Sequence, residues 1–148
     1  MKESSYWGSL RQKLVEEVGG KCIKIADVAT LGLPDSIHIY TGIATFIETK
    51  IGDEKATPVH PWFILKHDVR QFEVCKRIAL NALVLYVIYY PEIRMTAVFQ
   101  PSHLEPILDT GPSLVRGHGI SAIKKEMEQY RRMIYESGRL RSTCQILS

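Results

Sequence analysis

The chain has little from which to build a covalently pinned scaffold. Its 148 residues hold three cysteines, Cys22, Cys75 and Cys144, far apart and without a second cysteine or close histidine at zinc-site spacing. They read as free thiols, which places the protein in a reducing, cytoplasmic compartment. No apolar core of a signal peptide follows Met1-Lys2-Glu3-Ser4-Ser5, so nothing directs export. The longest apolar run, Ile78 to Tyr90, is interrupted by Asn81 and falls short of the ~20 residues that cross a bilayer, so a soluble protein is expected. Also missing are a nucleophile elbow, a Walker-type glycine loop and a dinucleotide fingerprint, which leaves an esterase, NTPase or dehydrogenase without support. There is no repeat and no low-complexity stretch.

What remains is an ordinary globular composition, 45% hydrophobic and 24% charged, in a chain long enough for one domain with its own core. The net charge is +3, but it is unevenly spread: Val115 to Arg141 carries seven Lys or Arg against three Glu. A near-neutral body with a basic C-terminal arm suits a protein that holds a metal in one place and phosphate in another.

Trp7, Leu10, Leu14, Val15 and Val18 recur at three- and four-residue steps, which predicts a helix from Ser4 to Val18 that Gly19-Gly20 stops. Lys21 to Ala26 reads as a strand. Ser36 to Tyr40 and Ala44 to Ile51, rich in Ile, Tyr, Phe and Thr and separated by Thr41-Gly42, read as a hairpin. Residues 52 to 67 contain Gly52, Pro58, Pro61 and the apolar patch Trp62-Phe63-Ile64-Leu65, and their periodicity fixes no conformation. Asp68 followed by Gln71 is a capping-box pattern opening a helix to about Ala82. Leu83 to Tyr90 is continuously apolar, β-branched and aromatic, as in a strand covered on both faces. Arg94 to Phe99 adds a strand, Pro101 to Gly119 reads as loop, and Ile120, Ile123, Met127, Tyr130 and Ile134 mark a last helix to about Glu136. The fold class is α/β, a mixed central sheet flanked by helices.

One stretch bears chemistry: Gly32-Leu33-Pro34-Asp35, followed across the hairpin by Phe46-Ile47-Glu48-Thr49-Lys50. Side chains alternate along a strand, so Glu48 and Lys50 share a face, and strand pairing brings Asp35 towards Glu48. Two carboxylates that close repel unless a cation lies between them, and oxygen ligands of this kind suit Mg²⁺, with Mn²⁺ able to substitute. Such an ion beside Lys50 points to phosphodiester hydrolysis. The plain alternative is an exposed same-face ion pair with Asp35 as a turn residue. Against it stands the apolar company of Ile37, Ile39, Phe46, Ile47 and Ile51, which suggests a central hairpin where unpaired charge is costly.

The same residues resemble the PD-(D/E)xK restriction-endonuclease-like superfamily and, within it, the virus-type replication-repair nuclease domain, VRR-NUC. The resemblance runs from about Glu3 to Tyr90 through Gly19-Gly20, Lys24, Gly32-Leu33-Pro34-Asp35, Gly42, Glu48-Thr49-Lys50 and Gln71. It implies a restriction-endonuclease-like core over residues 1–100, with a C-terminal loop and basic amphipathic helix over 101–148 packed on or extending from it. It also implies that Asp35, Glu48 and the backbone carbonyl of Thr49 are metal ligands, that Lys50 is the catalytic lysine and that Glu3 approaches the metal from the first helix. Gln71 would orient a group of the site and Lys24 would touch phosphate. Glu3 reads equally well as a solvated residue near a helix N-terminus, Gln71 as the capping partner of Asp68, and Lys24 as an exposed strand residue. The stretch between Lys50 and Gln71 is longer and more apolar than the family pattern. Trp62 and Phe63 within it suit core packing, a cover over the site, base stacking or a subunit contact.

Outside the resemblance, Lys124 and Arg131, and likewise Lys125 and Arg132, lie seven apart and form a basic stripe that could follow a DNA backbone or simply be solvated. The expected activity is a magnesium-dependent endonuclease acting on branched or flapped DNA in replication, recombination or repair. Single-domain family members resemble Holliday-junction resolvases, which implies a homodimer with paired active sites. The rival is a non-catalytic DNA-binding or assembly protein on a nuclease-like fold. A histidine-metal nuclease built on His60 and His67 is a distant third.

Overall fold

Tyr6, Leu10 and Leu14 fall one helical turn apart, and that stripe is what the first helix, α1 (Glu3–Val18), buries against the sheet. Tyr6 belongs to it and Val15 does not: Val15 is 38% exposed. The computed structural model describes residues 3–25, 32–52, 69–101 and 113–137. The expectations for Ala26, for residues 53 to 67 with His60, Trp62, Phe63 and His67, for Asp68 as a cap and for Cys144 lie outside the described residues.

After Gly19-Gly20 the chain forms β1 (Lys21–Lys24), β2 (Ser36–Tyr40), β3 (Ile43–Ile51), α2 (Val69–Ala79), β4 (Leu83–Tyr90), β5 (Met95–Phe99), β6 (Ser113–Arg116) and α3 (Ile120–Glu136). The strands lie in sequence order in one six-stranded sheet. Neighbours are antiparallel except β3 and β4, which run parallel because the chain crosses back between them through α2. This is the α/β class the sequence indicates, a mixed central sheet with helices on both faces and a helix added at the C-terminal side. Among the described residues no helix is long and apolar enough to cross a membrane.

The alternation along β3 and β4 divides the core in two. Ile47, Leu83, Leu85 and Val87 meet α1 and α3 on one face; Val84, Tyr86 and Ile88 meet Phe72 and Cys75 of α2 on the other. β4 is buried on both faces, as its unbroken apolar run indicates.

Two expectations are corrected. Ser113–Arg116 is a strand rather than loop, and it pairs with the edge of β5. Four residues are too few for a readable alternation, and the open edge that captures them is a non-local feature. Nor is the hairpin central as a whole. β3 is; β2 stands one strand from the edge, and on the α2 side Ile39 is 42% exposed and Ile23 of β1 43%. Apolar composition alone does not separate a central strand from one whose second face stays partly exposed.

Candidate active site

Asp35 ends the Gly32-Leu33-Pro34 loop immediately before β2. Ser36 pairs with Ile47, so Asp35 stands opposite Glu48 on β3. Gly32 fixes the path of the loop: its φ is 102°, and a Cβ there would lie 2.9 Å from Val74 and 3.3 Å from the Cα of Gln71. The loop that delivers Asp35 is thereby seated on the first turns of α2, which deliver Gln71.

Five residues interlock here. The Asp35 amide donates to Glu48 Oε2 at 3.0 Å. Lys50 Nζ lies 3.3 Å from Glu48 Oε1, so the two side chains share the α2 face as their spacing requires. Gln71 hydrogen-bonds the Glu48 carboxyl from α2. Asp35 Oδ2 accepts from the Thr49 amide at 2.9 Å and the Thr49 hydroxyl at 2.8 Å. The Asp35 carbonyl accepts from the Ile25 amide at 2.7 Å, which ties the loop to β1 as well.

Burial sets the electrostatics. Glu48 is 1% exposed, whereas the Lys50 side chain is 22% exposed. Burial, and after it the charge of Asp35, push the Glu48 carboxyl from 4.5 up to about 8, against the smaller opposing pull of Lys50 and Gln71. A carboxyl so poorly solvated, with a second acid beside it, favours uptake of either a proton or a cation. Cys75 lies within the field of the same groups, and burial pushes its thiol up to about 11, which leaves it an inert core residue.

A divalent metal fits these residues. Gln71 Oε1 is a buried acceptor without a hydrogen-bond partner among the described residues, and it belongs to the side chain that bonds Glu48. A buried carboxyl with a second acid and an unsatisfied oxygen beside it is a hard, oxygen-rich environment. Among the described residues no cluster of three or more His, Cys, Asp or Glu is placed to hold a metal. The cation would therefore take its remaining ligands from backbone carbonyl oxygen and water, the habit of magnesium.

Asp35, Glu48, Thr49, Lys50 and Gln71 thus come together, and other expected residues do not join them. Glu3 begins α1, and its side chain lies outside the described atoms. Lys24 is exposed on β1 opposite Ser36, on the sheet face away from Glu48. Lys124, Lys125, Arg131 and Arg132 all stand on α3, across the sheet from the acids. The stripe is also split: Lys124 and Arg131 border a cavity and Lys125 and Arg132 do not, and of the four only Arg131 is part-buried. Sequence reasoning missed the clamp that Thr49 places on Asp35. The available signal is a threonine, completely buried, between two charged residues of a central strand.

No protein-family model matches the chain, and no curated protein does. Among solved structures it overlaps Hjc, a Holliday junction resolvase from the archaeal hyperthermophile Archaeoglobus fulgidus, at 17% identity and a TM-score of 0.47, over 78% of this chain and 84% of that one. A likeness at that level assigns neither family nor activity.

Proposed function

We propose that the chain is a magnesium-dependent nuclease that hydrolyses phosphodiester bonds in DNA. The observation that carries this reading is the convergence of Asp35 and Glu48, from a loop and a central strand, with Lys50 against the buried acid. A chain that needed only a stable strand would gain from apolar residues at 48 and 50, because removing charge from a buried site is commonly neutral or stabilising. A buried, perturbed acid with a second acid beside it more often serves chemistry.

Asp35 and Glu48, with the backbone carbonyl of Thr49, would hold the cation, and Glu3 would reach towards it from α1. When bound, magnesium supplies Lewis-acid polarisation of a phosphodiester oxygen and a water of lowered pKa. Thr49 fixes the Asp35 carboxylate and Gln71 fixes that of Glu48, so both acids present preset oxygens. Lys50 brings positive charge to where negative charge builds on phosphorus as water adds and one P–O bond breaks.

The finer reading follows the resemblance in the sequence: a VRR-NUC member on a restriction-endonuclease-like core, a substrate of branched DNA such as a Holliday junction or flap, and a homodimer acting in recombination or repair. The test is cleavage of labelled junction, flap, single-stranded and linear DNA with and without Mg²⁺ or Mn²⁺, alongside size exclusion. Metal-dependent cutting of the branched substrates, lost in Asp35→Ala and Lys50→Ala, is the expected result. Equal cutting by wild type and both variants would refute the site. Binding without any cutting would make the chain an assembly protein, and a strict monomer without junction cleavage would remove the resolvase reading.

A further inference from the structure

A cavity of about 300 Å³ opens on the α1 and α3 side of the sheet, away from the acids. Its walls are the end of α1, the β2–β3 hairpin and one flank of α3. The volume lies at the lower end of the roughly 300–1,000 Å³ usual for small-molecule sites. The wall chemistry is selective. Lys124 and Arg131 from α3 supply two cations, Glu17 from α1 and Glu128 from α3 supply two anions, and Tyr40 with Met127 supplies flat and flexible apolar surface.

A plain anion fits this balance poorly, because two acids border the same opening as the two cations. A plain hydrophobe fits poorly as well, because four charged groups border the opening. The walls call for a ligand with an anionic end, N–H or O–H donors and a flat apolar face, which is the description of a nucleotide. Tyr40 is 40% exposed, so its ring is available for a base to stack on. His38 braces this wall: its ring is buried, Nε2 donates to the Gly19 carbonyl at 2.7 Å, and it stacks 6.4 Å from the Tyr40 ring. Because the Gly19 carbonyl can only accept, the proton is on Nε2. That fixes the imidazole, and through it the hairpin, against the end of α1.

We propose that this cavity binds one nucleotide, its phosphate on Lys124 and Arg131 and its base on Tyr40. Two sources share that chemistry, a free mononucleotide and an unpaired nucleotide of a DNA strand. The site shares no residue with the acid cluster and stands whether or not the chain cuts DNA.

The experiment is equilibrium binding in EDTA, so that cleavage plays no part. The probes are dAMP, deoxyadenosine, inorganic phosphate and a fluorescent single-stranded oligodeoxyadenylate, tested on wild type, Lys124→Ala, Arg131→Gln, Tyr40→Ala and the control Arg77→Ala, an exposed cation on α2 across the sheet. Thermal melts of every variant separate lost binding from lost folding, and Tyr40→Phe, which keeps the ring, should restore what Tyr40→Ala loses. Saturable dAMP binding that falls about tenfold in the three cavity variants and by less than about twofold in the control supports the proposal. If dAMP also displaces the oligonucleotide, the source is an unpaired strand; if only dAMP binds, the source is a free nucleotide. Phosphate binding as tightly as dAMP, equal losses in the control, or no saturable binding of either nucleotide probe overturns it. None of these outcomes depends on Asp35 or Glu48, so failure here leaves the nuclease reading intact.

Discussion

The backbone amide of Asp35 donates to Glu48 Oε2 at 3.0 Å while the Asp35 carboxylate is held by the amide and hydroxyl of Thr49. Glu48 is therefore positioned by the loop that carries Asp35, and Asp35 by the strand that carries Glu48. Neither side chain can be altered without disturbing its neighbour.

Removal of Asp35 should affect activity and stability differently. Asp35→Ala removes a metal ligand and leaves the buried Thr49 amide without its acceptor, at a cost of roughly 1–3 kcal/mol. Asp35→Asn keeps an acceptor oxygen and should melt nearer to wild type. Both should lower cleavage by about a hundredfold or more, as should Lys50→Ala. Single-turnover rates set beside urea unfolding separate the two effects. An Asp35→Asn variant that cuts like wild type would remove Asp35 from the chemistry.

The raised pKa of Glu48 makes stability depend on pH in a direction opposite to the usual acid. Its carboxyl stands near 8 in the folded chain against 4.5 without its surroundings, first because it is buried and then because Asp35 is close. Between those values the folded chain keeps a proton that the unfolded chain has released. The Glu48 contribution to stability in EDTA is therefore fully present below the lower value and falls through this window by an amount on the order of a few kcal/mol. Glu48→Gln should flatten the slope, and a wild-type chain insensitive to pH between 5 and 8.5 would contradict the assignment.

Metal should reverse that loss. Binding to Glu48 requires the ionised carboxylate, so uptake of Mg²⁺ should release a proton at neutral pH and tighten as pH rises towards 8. Calorimetry in two buffers of different ionisation enthalpy measures that proton directly. Cleavage should rise over the same range, and no proton release at pH 7 would mean that the metal bypasses Glu48.

Gln71 is a positioning residue whose loss should be visible in a pH profile. Its hydrogen bond to Glu48 favours the ionised form, so Gln71→Leu should move the rise of activity to higher pH. The same change deletes a buried oxygen that has no partner among the described residues, so the melting temperature should stay or increase. A uniform drop in activity with an unshifted profile would indicate a packing role instead.

The hairpin turn gives an independent check on the register that aligns the acids. Thr41 is a β-branched residue at φ 48°, followed by Gly42 at φ 79°, the geometry of a two-residue turn that prefers Asn-Gly. Thr41→Asn should stabilise the chain by about 1 kcal/mol. A destabilised variant would place the turn, and with it the pairing of Ser36 with Ile47, elsewhere.

The local half of this protein was legible in its residues. A period of two puts Glu48 and Lys50 on one face, Thr41-Gly42 closes the hairpin, and the unbroken apolar run of Leu83–Tyr90 marks a strand covered twice; each is a short-range steric or burial rule. The tertiary structure alone decided matters that depend on distant partners. It captured Ser113–Arg116 on the edge of β5, set Thr49 against Asp35, left Ile39 42% exposed, and put the basic face of α3 across the sheet from the acids. Alternation fixes which residues share a face, but which helix covers that face depends on the packing of segments far apart in the chain, and no local pattern encodes it.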